Sequence, residues 1–177
     1  MSNIFTGILL VVLNFNIDIG DIRIGLIPSF LGYLFIVRGS RELIYQSVKF
    51  GDCEKAAEVM IAVSGADYIL DLLGLTPRLV LVSSLLGCAL TAGLIWVLYC
   101  IVSGITDIER SRGINLNGVK LRQIWMSHAI VSVLVFVLEL LGIVSLAIIA
   151  LIAELILMIV FLYNLNAAKT MFNSRTL

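Results

Sequence analysis

Two long apolar stretches constrain the fold of this chain more than any other feature. Leu79 to Ser103 contains no charged residue, and Ile143 to Tyr163 contains only Glu154. A helix needs about 20 predominantly apolar residues to cross the roughly 30 Å of bilayer hydrocarbon, and both stretches meet that length. The composition agrees, because 60% of the residues are hydrophobic and only 14% are charged. We therefore predict an integral membrane protein surrounded by the lipid bilayer.

Further apolar stretches occur along the rest of the chain. They predict a single integral membrane domain over residues 1–177, an all-α bundle of six membrane segments in three hairpins. The N-terminal stretch MSNIFTGILLVVLNF lacks the basic residues of a cleaved signal peptide, so we expect it to remain as the first segment. The segments are expected at 3–17, 24–45, 56–74, 78–105, 122–141 and 143–165.

The first hairpin is the least regular part of this pattern. The stretch IDIGDIRIGLIPSFLGYLF places polar residues between two short apolar arms. Asn14 to Arg23 is expected to be the turn, and Pro28 suits the first turn of the returning helix, where its missing N–H costs nothing. The first arm has about 15 residues, near 22 Å of helix. Two interpretations stay open: either the second arm continues as helix beyond Val37, or the pair is a short re-entrant hairpin.

The distribution of positive charges predicts the orientation. Cytoplasmic loops of membrane proteins collect Lys and Arg. With six segments, only Arg23 and Arg78 lie on one side, and ten basic residues lie on the other. Both termini are therefore predicted to be cytoplasmic in a multi-pass protein of the cell membrane. The ten residues are Arg38, Arg41, Lys49, Lys55, Arg110, Arg112, Lys120, Arg122, Lys169 and Arg175.

Several polar residues inside or at the ends of the predicted segments need a partner or a purpose. An ionised side chain at the middle of a membrane helix costs about 2.5 to 3.5 kcal/mol. These residues predict an acidic cavity for a cation or a protonated small solute. Asp18, Asp71 and Glu139 also have a simpler interpretation, as turn residues at the membrane interface. The candidate ligands are Asp67, Asp71, Glu139, Glu154, Asp18, Asn14 and Asn16.

Glu154 is the most informative of these acids, because it lies near the centre of the last segment. We expect it to face the bundle interior, either protonated or paired with a donor such as His128, Arg23 or a buried asparagine. His128 lies about one helical turn beyond Trp125, and the sequence favours it as a boundary residue over a proton relay.

Short motifs recur along the chain and suggest parallel repeats. GLIP at Gly25 resembles GLTP at Gly74, and IVRGSREL resembles the later IVSGITDI. DLLGL, which begins at Asp71, resembles ELLGI, which begins at Glu139. Chance is the alternative explanation, because Leu, Ile, Val and Gly dominate the sequence.

The sequence contains no catalytic or metal-binding motif of the HExxH, GxSxG, P-loop or paired-cysteine type. It has one histidine, and its three cysteines are expected to be packing residues. We therefore predict no enzyme activity, cofactor or bound metal. Acidic and basic residues balance, which gives no indication of a nucleic-acid partner.

The run GLIPSFLGYLFIVRGSREL resembles a Leu-Ile-Pro-x-Phe-x-Gly-Tyr pattern in small uncharacterised integral membrane proteins of Firmicutes. Ser29 stands where that pattern has an aspartate. The resemblance implies a bacterial inner membrane and no particular activity. The size and the predicted layout are also similar to the substrate-binding subunits of energy-coupling-factor vitamin importers, in architecture only.

Two functions are compatible with these features. The first is a small transporter, or the substrate-binding membrane subunit of one, with proton coupling through Glu154. The alternative is a non-catalytic accessory or regulatory membrane protein. Its basic cytoplasmic loops, RGSRELIYQSVK and ERSRGINLNGVKLR, would dock a partner protein or anionic lipid.

Overall fold

The structure, a computed structural model, describes residues 1–13, 16–19, 22–25, 28–75 and 79–174. Its secondary structure consists of six helices and one antiparallel hairpin. The prediction of a helical protein is confirmed, and the hairpin is the one departure from it among the described residues. The elements are α1 (Ser2–Val12), β1 (Asn16–Ile19), β2 (Ile22–Gly25), α2 (Ser29–Leu43), α3 (Lys49–Leu72), α4 (Val80–Arg112), α5 (Gly118–Leu140) and α6 (Val144–Ser174).

Three of these helices, α4, α5 and α6, are long and apolar enough to cross a bilayer. In each helix, at most 28% of the most apolar 18-residue stretch is buried inside the chain. Soluble proteins rarely expose apolar surface of this extent, so the three helices fit a membrane protein.

The other three helices do not reach this standard. α1 and α2 have 11 and 15 residues, about 16 and 22 Å of helix, which is shorter than the hydrocarbon layer. α3 has 24 residues, but its apolar part carries Glu58, Asp67 and Asp71. Three helices therefore meet the criterion for a membrane span, and the six predicted spans stay a prediction.

The chain divides into two compact units, Met1–Ile101 and Val102–Leu177. Helix α4 contributes residues to both units. The predicted single domain over residues 1–177 stays a prediction.

In the first unit, α1 and α2 pack with their backbones almost in contact. A Cβ atom on Gly7 would lie 2.6 Å from the Gly32 carbonyl oxygen, and a Cβ on Gly32 would lie 2.6 Å from the Gly7 carbonyl oxygen. A Cβ on Gly39 would meet Ile4 at 2.6 Å. In lipid, helices associate mainly through such close approach of small residues. The same interface ends on Asn3, whose amide donates to Glu42 at 2.6 Å.

The hairpin corrects the predicted boundaries of the first two segments. α1 ends at Val12 instead of residue 17, and α2 begins at Ser29, directly after Pro28, instead of residue 24. The physical reason is the alternation of isoleucine with polar residues from Asn16 to Gly25, which has the period of a strand. The register pairs Asn16 with Gly25, Ile17 with Ile24, Asp18 with Arg23 and Ile19 with Ile22.

Helix α3 packs against α2 and against β2. At one end of the α2–α3 contact, Arg41 donates to Glu54 at 2.6 Å and to Glu58 at 2.9 Å. At the other end, the Phe30 ring meets Tyr68 edge-on, with 5.9 Å between the ring centroids. Since α2 directly follows the hairpin, the last turns of α3 and the hairpin lie at the same end of this unit.

In the second unit, α5 and α6 form an antiparallel pair. Leu138 and Val135 of α5 cluster with Ala147 and Ala150 of α6, close to the turn that joins the helices. Towards the other end, buried residues continue at helical spacing on both partners. They are Gly118, Leu121, Ile124, His128 and Ser132 on α5, and Met158, Phe161, Asn164, Leu165, Ala168 and Phe172 on α6.

The loop between α4 and α5 is fixed by Glu109. Its carboxylate accepts the backbone N–H of Leu116 at 2.9 Å and of Gly118 at 3.1 Å. A Cβ atom at Gly118 would collide with this carboxylate. Arg112 lies over the Phe172 ring, 5.8 Å from its centroid, and ties the end of α4 to the end of α6.

The recurrence of DLLGL and ELLGI has a structural explanation in helix capping. Gly74 and Gly142 both have positive φ, 63° and 71°. The Gly74 N–H donates to Asp71 and the Leu75 N–H donates to Leu70, and the same two bonds recur from Gly142 and the residue after it. This is the Schellman pattern, in which glycine adopts the left-handed conformation at a helix end.

Candidate ion site

A buried polar layer lies at the middle of the α5–α6 contact. His128 and Ser132 are one turn apart on α5, and each is 3% exposed. Glu154 faces them from α6, with its side chain 22% exposed. Ser132 Oγ donates a hydrogen bond to Glu154 Oε1. The layer therefore joins a carboxylate, a hydroxyl and an imidazole between two helices that are long and apolar enough to cross a bilayer.

The same carboxylate oxygen faces the histidine. His128 Nε2 lies 3.7 Å from Glu154 Oε1, which is within ion-pair range but longer than a hydrogen bond. Ser132 Oγ also lies 3.0 Å from the His128 carbonyl oxygen and 3.3 Å from His128 Nδ1. Ser132 thus contacts both the ring and the carboxylate.

Apolar layers enclose this polar layer on both sides. The cluster of Val135, Leu138, Ala147 and Ala150 lies towards the α5–α6 turn. In the opposite direction, Ile124 and Phe161 are 8% and 1% exposed. In such surroundings an unpaired polar group is costly, and an electrostatic contact is stronger than in water.

The expectation that Glu154 meets a buried donor is confirmed. The side chain of His128 is buried against α6, where Ser132 and Glu154 provide polar partners for the ring. Its position at the membrane boundary stays a prediction. Ser132 was missed from the sequence, and its spacing of four residues from His128 on one helix face was the available signal.

Glu139, the other predicted ligand in the second unit, lies outside this polar layer. Glu139 is exposed in the last turn of α5, and its backbone carbonyl accepts the Gly142 N–H of the helix cap. The two capping motifs share the glycine and the two backbone hydrogen bonds of the cap. As a cation ligand, Glu139 stays a prediction.

The other candidate ligands lie in the first unit. Asp67 and Asp71 are half-buried on the last two turns of α3, and Asn16 and Asp18 lie on β1. β2 packs on α3, and the Phe30–Tyr68 contact places the hairpin near the α3 end that carries both aspartates. Asn14 lies outside the described residues. A cavity shared by all the predicted acids, drawn from both units, stays a prediction.

The described part of the chain offers no ready-made metal site. No cluster of three or more His, Cys, Asp or Glu side chains suitable for a metal ion occurs there. Cys53 is fully buried between helices of the first unit. Burial raises the pKa of its thiol to about 12, and the neighbouring Ser40 hydroxyl offsets only part of that rise. Cys53 is therefore a packing residue, as the sequence predicted.

Comparison with known proteins gives no relative of this chain. Neither the family models, nor the curated proteins, nor the solved structures contain a match to the chain.

Proposed function

We propose that the protein is a small membrane transporter, or the substrate-binding membrane subunit of one, that moves a cation or a protonated solute. The observation that carries this proposal is the His128–Ser132–Glu154 layer. Ionisable groups inside membrane helices are expensive, and in transport proteins such groups bind ions and relay protons. An exposed carboxylate would not support this proposal. Glu154 supports it because it faces a buried imidazole and a buried hydroxyl.

The proposal includes a topology. In it, α1, the hairpin and α2 form a re-entrant element, because neither helix is long enough to span. The hairpin backbone must then be covered by protein or water, and its contact with α3 supplies part of that cover. Both termini are cytoplasmic in a bacterial cell membrane, in agreement with the positive charges.

The charges of residues 38–58 favour the accessory function less than the transport function. Arg41 is already bound by Glu54 and Glu58, and Arg38 lies 3.9 Å from Glu42. Residues 38–58 contain as many acids as bases. This segment therefore offers little net attraction for anionic lipid or an acidic partner.

Transport is tested with purified protein in liposomes that contain the pH dye pyranine. An imposed gradient of Na⁺ or K⁺ should move protons in the opposite direction, whereas choline should not. Glu154→Gln should reduce the flux to the rate of protein-free liposomes. Asp52→Asn, which removes an exposed carboxylate in the first turn of α3, should retain it. Full flux in Glu154→Gln would contradict the role of this layer, and absence of flux in the wild-type protein would contradict a cation transporter that works without a further subunit.

Orientation is tested separately by cysteine labelling in a cysteine-free variant. Ser145→Cys lies just after the α5–α6 turn, and Ser111→Cys lies at the end of α4; both positions are exposed. A membrane-impermeant maleimide should label Ser145→Cys in intact cells and Ser111→Cys only after permeabilisation. The reverse pattern would place the termini outside.

A further inference from the structure

The connection from α4 to α5 carries an excess of basic residues. Residues 102–125 contain four bases and two acids, whereas residues 38–58 contain four of each. Arg110, Lys120 and Arg122 are exposed, and none of them forms an ion pair with another residue that the structure describes. These three residues, the loop bases, differ in this respect from Arg41, which two glutamates bind.

The loop bases belong to an ordered connection. Both carboxylate oxygens of Glu109 accept backbone N–H groups, from Leu116 at 2.9 Å and from Gly118 at 3.1 Å. This contact fixes the end of α4 to the start of α5. Arg110 directly follows Glu109, and Lys120 comes two residues after Gly118. The two ends of one short contact therefore each carry an exposed positive charge.

The position of the loop bases along α5 corresponds to a membrane surface. Residues 123–138 contain no Asp, Glu, Lys or Arg. The rise from Arg122 to Leu140 is about 27 Å of helix, close to the roughly 30 Å of bilayer hydrocarbon. When α5 crosses the bilayer, Arg122 therefore lies at the edge of the hydrocarbon, at the level of the lipid headgroups.

An aromatic residue accompanies the charges at this level. Trp125 follows Arg122 by three residues, so the two lie on the same face of α5. Tryptophan is enriched at membrane–water interfaces, where its ring lies among the headgroups. A base and a tryptophan on one helix face at this depth fit a lipid molecule better than a soluble ligand, which would use only the charge.

We propose that the loop bases bind the phosphate group of an anionic phospholipid from the surrounding bilayer. A lipid phosphate carries a negative charge and acceptor oxygens, to which Arg and Lys donate charge-assisted hydrogen bonds. The bilayer holds this phosphate at the depth of Arg122 and Trp125. Basic residues next to membrane helices attract anionic lipid in this way, and residues 38–58 lack the necessary net charge. The inference goes beyond the proposed transport function and does not depend on it.

The chain offers a selective probe, because it has two tryptophans, Trp96 and Trp125. Trp96→Phe, at an exposed position of α4, leaves Trp125 as the single reporter. This protein is reconstituted in phosphatidylcholine with increasing fractions of either dibrominated phosphatidylglycerol or dibrominated phosphatidylcholine, whose bromine atoms quench tryptophan on contact. Quenching should show a preference for the anionic lipid of at least about fivefold, the contribution of one basic residue. Equal quenching by both lipids would overturn the proposal and leave a soluble acidic partner as the occupant.

Variants in the same background assign the preference to the loop bases. The triple variant Arg110→Gln, Lys120→Gln and Arg122→Gln should remove it. Lys55→Gln, which removes an exposed base from the balanced segment 38–58, should leave it unchanged. A preference that survives in the folded triple variant, or that falls equally in Lys55→Gln, would overturn the proposal. If the triple variant does not fold, Arg122→Gln decides, because an unchanged preference in that variant would also overturn it.

Inorganic phosphate distinguishes a lipid site from a site for the free anion. At constant ionic strength, replacing chloride with phosphate should leave the preference for phosphatidylglycerol unchanged, because the bilayer presents the lipid phosphate at high local concentration. Loss of the preference would assign the loop bases to a soluble phosphate and overturn the proposal.

Discussion

The helix pairs α1–α2 and α5–α6 are both antiparallel, but they are held together by opposite means. α1 and α2 meet through Gly7, Gly32 and Gly39, with no room for a Cβ atom between the backbones. Between α5 and α6, the apolar contact is instead interrupted by the buried layer of His128, Ser132 and Glu154. Close packing at glycine favours association of helices in lipid. The second pair is also joined by buried polar groups, which the proposed transport function would use.

The largest expected effect is on the glycine-packed pair. Gly32→Ala places a Cβ atom 2.6 Å from a backbone oxygen, which no side-chain rotation can relieve. We expect it to destabilise the protein by about 3 kcal/mol. The measurement is the unfolding midpoint in detergent.

Gly87→Ala is the matched control for this change. The position is exposed on α4, with nothing within 4 Å of the added Cβ. It should stabilise the helix by about 0.5 to 1 kcal/mol. Equal effects of the two substitutions would show that α1 and α2 do not pack this closely.

The next effect is on the polar layer. Glu154→Ala leaves Ser132 and His128 without their carboxylate partner and should cost about 1 to 3 kcal/mol. The same denaturation measurement applies, with Glu139→Ala, at an exposed position of α5, as the control. A loss no larger than that of the control would mean that the layer is open to water.

A smaller effect is expected at the cap that joins α5 to α6. Gly142 has φ of 71° and open space where a Cβ atom would lie, so a side chain there meets backbone strain alone. Gly142→Ala should cost about 1 kcal/mol, and Gly142→Asn less, because asparagine tolerates this conformation better. An alanine variant as stable as the wild type would rule out the left-handed cap.

The smallest effect is expected at Cys53. Burial raises the pKa of this thiol to about 12, so almost none of it is thiolate at pH 8, and the thiolate is the reactive form. Maleimide should leave Cys53 unmodified in the folded protein while it labels an exposed Ser111→Cys. Rapid modification of Cys53 would show that the first unit is loosely packed.

Part of the fold was predictable from the sequence. The apolar runs predicted α4, α5 and α6, because membrane crossing requires length and apolarity, and both are local properties. The hairpin was missed, although Gly20 and Asp21 separate two alternating isoleucine runs, a recognised hairpin signal. The short arms and the polar turn also have the lengths of two short membrane segments joined by a loop, which is what the sequence predicted.

The functional layer was predictable only in part. Glu154 and a donor such as His128 were expected, since a buried acid needs a partner. Ser132 required knowledge of which face of α5 meets α6, and that register is a tertiary property. Glu109 was missed for the same reason, because its bonds reach residues seven and nine positions later across a loop.

The central claim is that the polar layer serves function and not stability. Its most direct test is the triple variant His128→Leu, Ser132→Ala and Glu154→Met, measured for both unfolding and cation-driven proton flux. Replacing a buried polar group of this kind by apolar residues of similar volume is often neutral or stabilising. We predict a folded protein at least as stable as the wild type, with no flux. A folded variant that retains the flux would contradict the account.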